Sequence, residues 1–121
     1  MRLALLLVSA FVASGGDVTG IWTGQAPGRN GETEDVTFQF RQDGATLNGK
    51  LYAETGDIPI SEGKVEGDRI RFSVVIRFSS NATTFIYTGT VNGDEIRMTR
   101  ERDRPGEKPS PAQTFTLKRM T

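Results

Sequence analysis

The chain contains neither cysteine nor histidine. Without thiols it can form no disulfide, use no thiolate nucleophile and build no thiolate metal site. Without imidazole it lacks the usual base of a nucleophilic triad and the commonest metal ligand. Tryptophan occurs once, at position 22, so a pocket walled by several indoles is excluded. Charge of one sign is also missing. Lysine plus arginine total 15 and aspartate plus glutamate total 15, a balance that gives no electrostatic footprint for nucleic acid or for an anionic membrane.

Long apolar runs are confined to the N-terminus. Arg2 precedes a stretch from Leu3 to Ala13 interrupted only by Ser9, followed by the small residues Ala13, Ser14, Gly15 and Gly16. A run of that length is too short for a membrane span, which needs about 20 residues. It reads as a signal peptide over residues 1–15, with a buried N-terminal helix as the alternative. Removal of Arg2 with the signal would leave a formal charge of −1. The expected product is a secreted or periplasmic domain over residues 16–121, with no integral membrane segment. A domain of that size, exported without disulfides, must close its hydrogen-bond ladders and pack one real core.

What the remaining sequence does have is alternation. Segments 18–25, 35–41, 46–54, 58–65, 69–78, 84–91, 95–102 and 113–120 alternate apolar and polar residues with period two, and Gly-rich turns separate them at short intervals. That pattern predicts an all-β fold, a small eight-stranded antiparallel up-and-down barrel. The segment 69–78 is the clearest, with Ile70, Phe72, Val74, Ile76 and Phe78 on the inward parity. The segment 58–65 is the weakest, because Pro59 cannot donate to a ladder.

The turns sort by position. Residues 42–45, 66–68 and 92–94 are tight, Gly-containing hairpin turns. Residues 26–34, 79–83 and 103–112 read as longer loops. In an up-and-down meander these two sets fall at opposite ends, so the barrel has a hairpin end and a loop end. One internal repeat supports this. Residues 63–72 (GKVEGDRIRF) recur as 89–98 (GTVNGDEIRM), a 26-residue offset read as one hairpin unit used twice.

With eight strands in place, Gly20-Ile21-Trp22 at the start of the first strand and Arg119 at the end of the last resemble the calycin superfamily, which includes lipocalins, fatty-acid-binding proteins and avidins. The resemblance implies that Gly20, Trp22 and Arg119 close the hairpin end, with the guanidinium covering the indole. It is architectural. The Trp-rich pocket of avidins, the two helices of fatty-acid-binding proteins, and the disulfide and C-terminal helix of classical lipocalins are all missing, so no ligand is carried over.

No catalytic set is expected. Asp43, Glu54, Asp57, Glu66, Asp68 and Asp94 lie in or beside turns, where carboxylates serve the backbone. Glu32, Glu34 and Asp35 form an acidic loop cluster that reads as solvated, with a weak calcium site as the alternative. No cofactor or metal is called for. Inward parity makes Phe40, Phe78, Tyr87 and Arg100 the candidate ligand-binding residues, for a small apolar ligand entering at the loop end. Tyr87 as plain core and Arg100 as a solvent-reaching side chain are the alternative. Gly49, Ala53 and Gly89 are expected to leave local room in an interior that eight strands make just wide enough for one small ligand or none. The competing function is an interaction module that docks on an envelope protein or a glycan through its loops and an outward face of Arg69, Arg71, Arg77 and Arg97. The sequon Asn81-Ala82-Thr83 has meaning only in a eukaryotic host.

Overall fold

A computed structural model describes residues 17–28, 31–54, 56–78, 80–103 and 112–120. The expected signal segment and the whole Pro-rich stretch 104–111 lie outside these residues. Nine strands follow one another: β1 (Gly20–Pro27), β2 (Thr33–Asp43), β3 (Thr46–Ala53), β4 (Gly56–Pro59), β5 (Ser61–Glu66), β6 (Arg69–Phe78), β7 (Asn81–Asn92), β8 (Glu95–Asp103) and β9 (Gln113–Arg119). Every pairing is antiparallel, β1 joins β2 to β9, and β2 also pairs with β3, so the sheet closes on itself. The result is an eight-stranded barrel in which β4 and β5 together make one broken stave. Among the described residues no helix is long and apolar enough to cross a membrane.

The broken stave corrects the expectation of one strand over 58–65. β4 pairs with the outer half of β3, from Lys50↔Pro59 to Ala53↔Gly56, and β5 pairs with β3 only at Thr46 and Leu47. Between them Ile60 donates to the Gly49 carbonyl at 3.0 Å, and the register slips between Ser61 and Lys64. Glu62 there holds φ at +53°, a left-handed conformation costing a non-glycine residue roughly 1–2 kcal/mol. Pro59 removes one donor, and the bulge turns the chain back into register. As a consequence β6 is paired to β5 only as far as Ser73, and its outer half pairs with β7 alone.

Two expected loops also shorten. β2 begins at Thr33, and β6 and β7 run out to the pair Phe78↔Asn81. Residues Asn81 to Thr83 hide a strand because no apolar alternation marks them; backbone pairing with β6 carries them instead. The hairpin end is regular. Gly44, Gly67 and Gly93 take φ values of +62°, +60° and +64°, the conformation these turns demand. The last turn carbonyl of each hairpin is handed to a neighbouring strand: Ala45 to Val65 N–H, Asp68 to Val91 N–H and Asp94 to Arg119 N–H, at 2.7–2.9 Å. The repeated units keep one register, Val65↔Ile70 and Glu66↔Arg69 matching Val91↔Ile96 and Asn92↔Glu95.

Alternation fills the interior from every stave. Val36, Phe38, Phe40, Leu47, Leu51, Ile70, Phe72, Val74, Tyr87, Ile96, Met98, Phe115 and Leu117 are all buried around Trp22. The rings form one connected stack: Phe38 meets Phe40, Phe72 and Tyr87 at centroid distances of 5.3–5.4 Å, and Phe72 lies flat on Tyr87 at 4.9 Å. Each fully buried ring contributes about 1.5–3 kcal/mol, and edge-to-face pairs add roughly 0.5–1.5 kcal/mol apiece. The room expected at Gly49 and Gly89 is already taken. A Cβ on Gly49 would stand 2.0 Å from the Gln39 carbonyl oxygen, and one on Gly89 2.6 Å from Met98 Sδ and 2.8 Å from Ile96 Cγ2.

Candidate functional site

The two ends of the barrel are finished differently. At the hairpin end Trp22 is fully buried, its Nε1 donating to the Val18 carbonyl at 2.9 Å. The Arg119 guanidinium lies over the indole at 4.4 Å from the ring centroid. Its Nε donates to Asp94 Oδ1 at 2.9 Å, Nη1 to the Thr19 carbonyl at 2.8 Å and Nη2 to the Asp17 carbonyl at 3.2 Å. The segment 17–19 is thereby strapped across the end. Val18 N–H donates to Gln42 Oε1, Gln42 N–H donates to Thr19 Oγ1, and Gly20 pairs with Phe40. Asp17, bonded by the hydroxyl and amide of Thr19, is held below the usual carboxylate range.

At the loop end the polar residues come from β8 and β9. Arg100 stands directly across from Tyr87 on β7 and Gln113 on β9. Its Nε and Nη2 both donate to Gln113 Oε1, at 3.0 and 2.7 Å, and Nη2 also donates to the Pro27 carbonyl at 2.8 Å. One side chain thus ties the far end of β1 to β8 and β9. Its guanidinium carbon lies 5.9 Å from the Phe85 centroid and 5.7 Å from that of Phe115. Two residues on, Arg102 reaches the same Phe85 ring, at 5.7 Å. Burial pushes the Tyr87 phenol up, against the pull of the Arg100 charge beside it; the Glu34 carboxylate adds a smaller upward push.

The candidate ligand residues therefore divide. Tyr87 and Arg100 come together. Phe40 packs within the ring stack opposite Gly49 and Gly20, in the hairpin half of the barrel, and reaches Tyr87 only through Phe38 and Phe72. The backbone of Phe78 sits at the loop rim opposite Asn81; its side chain lies outside the described residues. Arg102 and Gln113 were not singled out from sequence. The signal that finds Arg102 is parity: it lies two residues beyond Arg100 on one strand and so shares its inward face.

The loop end also carries apolar side chains. Ile58, Ile60 and Ile76 pack on the core but remain partly exposed, as does Phe85. The three isoleucines lie on or beside the stretch where β6 leaves β5 and β4 pairs only with β3. The end thus combines an aromatic floor, an aliphatic wall and a cationic wall.

On the outside, Arg69, Arg71, Arg77 and Arg97 are exposed. Pairing aligns Glu66, Arg69, Thr90, Arg97 and Thr116 in one row across the sheet, with Lys64, Arg71, Thr88, Thr99 and Thr114 in the next. Among the described residues no three His, Cys, Asp or Glu side chains are arranged to hold a metal ion, so Glu32, Glu34 and Asp35 do not form such a group; Asp35 instead accepts from Gln25 Nε2 at 3.3 Å. Compared with known protein families, curated proteins and solved structures, the chain finds no significant match.

Proposed function

We propose that this barrel is a non-enzymatic, exported binding protein that takes a small apolar ligand at its loop end. The observation that carries the reading is the group Ile58, Ile60, Ile76 and Phe85, apolar side chains left partly exposed at the mouth of an otherwise packed barrel. Concave apolar surface with a few convergent polar groups is what a small-molecule site requires. Tyr87 and Arg100 supply those groups. The calycin-like relation belongs to the same proposal and rests on architecture and on the Trp22–Arg119 pair. Export rests on the N-terminal segment, and N-terminal sequencing of protein recovered from its own host tests it, with maturation expected after Gly15.

Displacement of an environment-sensitive apolar dye, together with native mass spectrometry of protein purified from its own host, tests the ligand reading. Dye uptake that is reduced by Ile76→Asp or by a copurifying small molecule supports it. A protein that takes up no dye and carries no adduct removes it.

A second reading is favoured by the in-register rows that carry Lys64, Arg69, Arg71 and Arg97 on neighbouring strands. There the barrel docks on an envelope protein or a glycan through its outer face. Pull-down from the secreted or periplasmic fraction, comparing wild type with the Arg71→Glu, Arg97→Glu double variant, decides it. Equal capture by both excludes the arginine face.

A further inference from the structure

We propose that the loop end selects a short, flat molecule bearing one anionic group, of the aryl carboxylate class, and that Arg100 and Arg102 read its charge. The inference rests on the ligand-binding reading above and specifies the chemistry of that ligand.

The first observation is two guanidinium groups with no carboxylate partner among the described residues. Arg100 and Arg102 bring two guanidinium groups to one ring, 5.9 and 5.7 Å from the Phe85 centroid. Among the described residues neither has a carboxylate within ion-pair distance, whereas Arg119 at the other end has Asp94 at 2.9 Å. The acceptors Arg100 does have, the Gln113 amide and the Pro27 carbonyl, are neutral. Glu34, on the inward parity at the β2 rim, is exposed; its charge is felt at Tyr87 but it forms no ion pair with either arginine. Arg100 is half-buried and Arg102 exposed, and an anion that meets either guanidinium gains a charge-assisted contact, strongest at the less solvated Arg100.

The second observation is preorganisation. Gln113 and Pro27 fix Arg100 through Nε and Nη2, and the Tyr87 phenol is a further neutral neighbour of its guanidinium. A fork already oriented by its neighbours loses little freedom when an anion arrives. The third is shape. The stacked rings of Phe72 and Tyr87, with Phe38 and Phe115 at their edges, occupy the barrel axis below this level. A long alkyl chain therefore has no path down the axis. That leaves the mouth, where Phe85, Ile58, Ile60 and Ile76 are the partly exposed apolar side chains, for a flat ring to rest on.

Isothermal titration of the full-length mature protein with 2-naphthoate, 2-naphthalenemethanol, dodecanoate and acetate tests the proposal. Naphthoate is expected to bind about ten-fold or more tighter than the neutral alcohol, a preference typical of one charge-assisted contact. Arg102→Gln is expected to remove most of that preference. Because Arg100 also ties strands together, Arg100→Lys, which keeps the charge and loses the fork, accompanies Arg100→Gln, with circular dichroism confirming the fold. Equal binding of naphthoate and alcohol overturns the charge assignment and leaves the apolar-ligand reading standing. A preference that survives the Arg100→Gln, Arg102→Gln double variant places the anion elsewhere and overturns the proposal. Dodecanoate binding more tightly than naphthoate overturns the shape argument, and acetate binding as well as naphthoate reduces the site to a simple anion site. Failure of both naphthyl compounds removes the ligand reading itself.

Discussion

Both ends of this barrel place an arginine over an aromatic ring, yet the two arginines do different physical work. Arg119 is neutralised by Asp94, bonded to two backbone carbonyls of the N-terminal strap and centred on a fully buried indole. Arg100 is held by neutral acceptors and shares the Phe85 ring with a second arginine. A cation whose every neighbour is satisfied is architecture. One held by neutral acceptors has, among the described residues, no carboxylate in the place that Asp94 takes at the other end.

The comparison is sharpest where the expected loss is greatest. Trp22→Ala should destabilise the protein by about 3–5 kcal/mol, as for other buried large-to-small changes, measured by urea unfolding. A loss under ~1 kcal/mol would mean the indole plugs nothing. Gly89→Ala comes next. Its methyl would press on Met98 Sδ and Ile96 Cγ2 in the hairpin half, and overpacking of that kind costs about 1–3 kcal/mol.

Arg119→Ala removes the cation over Trp22, an interaction of roughly 0.5–2 kcal/mol, together with the clasp on the strap. Arg102→Ala is the matched change at the other end. It should alter stability by less than about 0.5 kcal/mol, or raise it slightly by relieving repulsion with Arg100. Equal losses from the two substitutions would erase the distinction between the ends.

The smallest effect concerns pH. Asp17 titrates below its ordinary value because Thr19 bonds its charged form, with Arg119 helping. Its contribution is therefore complete above the ordinary carboxylate pKa and is lost as pH falls through the lowered folded-state value. Asp17 is almost wholly solvated, so the acid-induced drop in unfolding midpoint should be slight and should disappear in Asp17→Asn.

Much of this architecture is legible in the sequence because barrel walls are written in parity. Ile70, Phe72 and Val74 announce their strand, and the matched repeats 63–72 and 89–98 announce the hairpins. What alternation cannot encode is a change of phase. The stave from Gly56 to Glu66 breaks where Pro59 withholds a donor and Glu62 adopts a left-handed turn. That slip is a property of two neighbouring ladders rather than of one segment. The outer reaches of β2 and β7 are hidden for the opposite reason, since Thr33 and Glu34, like Asn81 to Thr83, carry no large apolar side chain on either face. At the site, Tyr87 and Arg100 could be placed from parity alone. Their partners could not, because Gln113 and the Pro27 carbonyl reach Arg100 from strands distant in sequence.

The pairing of β1 with β9, centred on Trp22↔Arg119, also sets the order of events during synthesis. Hairpins joined by the glycine turns involve near neighbours and can form as the chain emerges. The seam that closes the ring joins residues about a hundred positions apart, and contacts of such long sequence separation form slowly. Until the last strand is released, β1 and β8 present open edges, the kind of surface on which other chains add strands. A nascent chain stalled or truncated before Gln113 is therefore expected to self-associate, while the finished ring has no such edge between its first strand and its last.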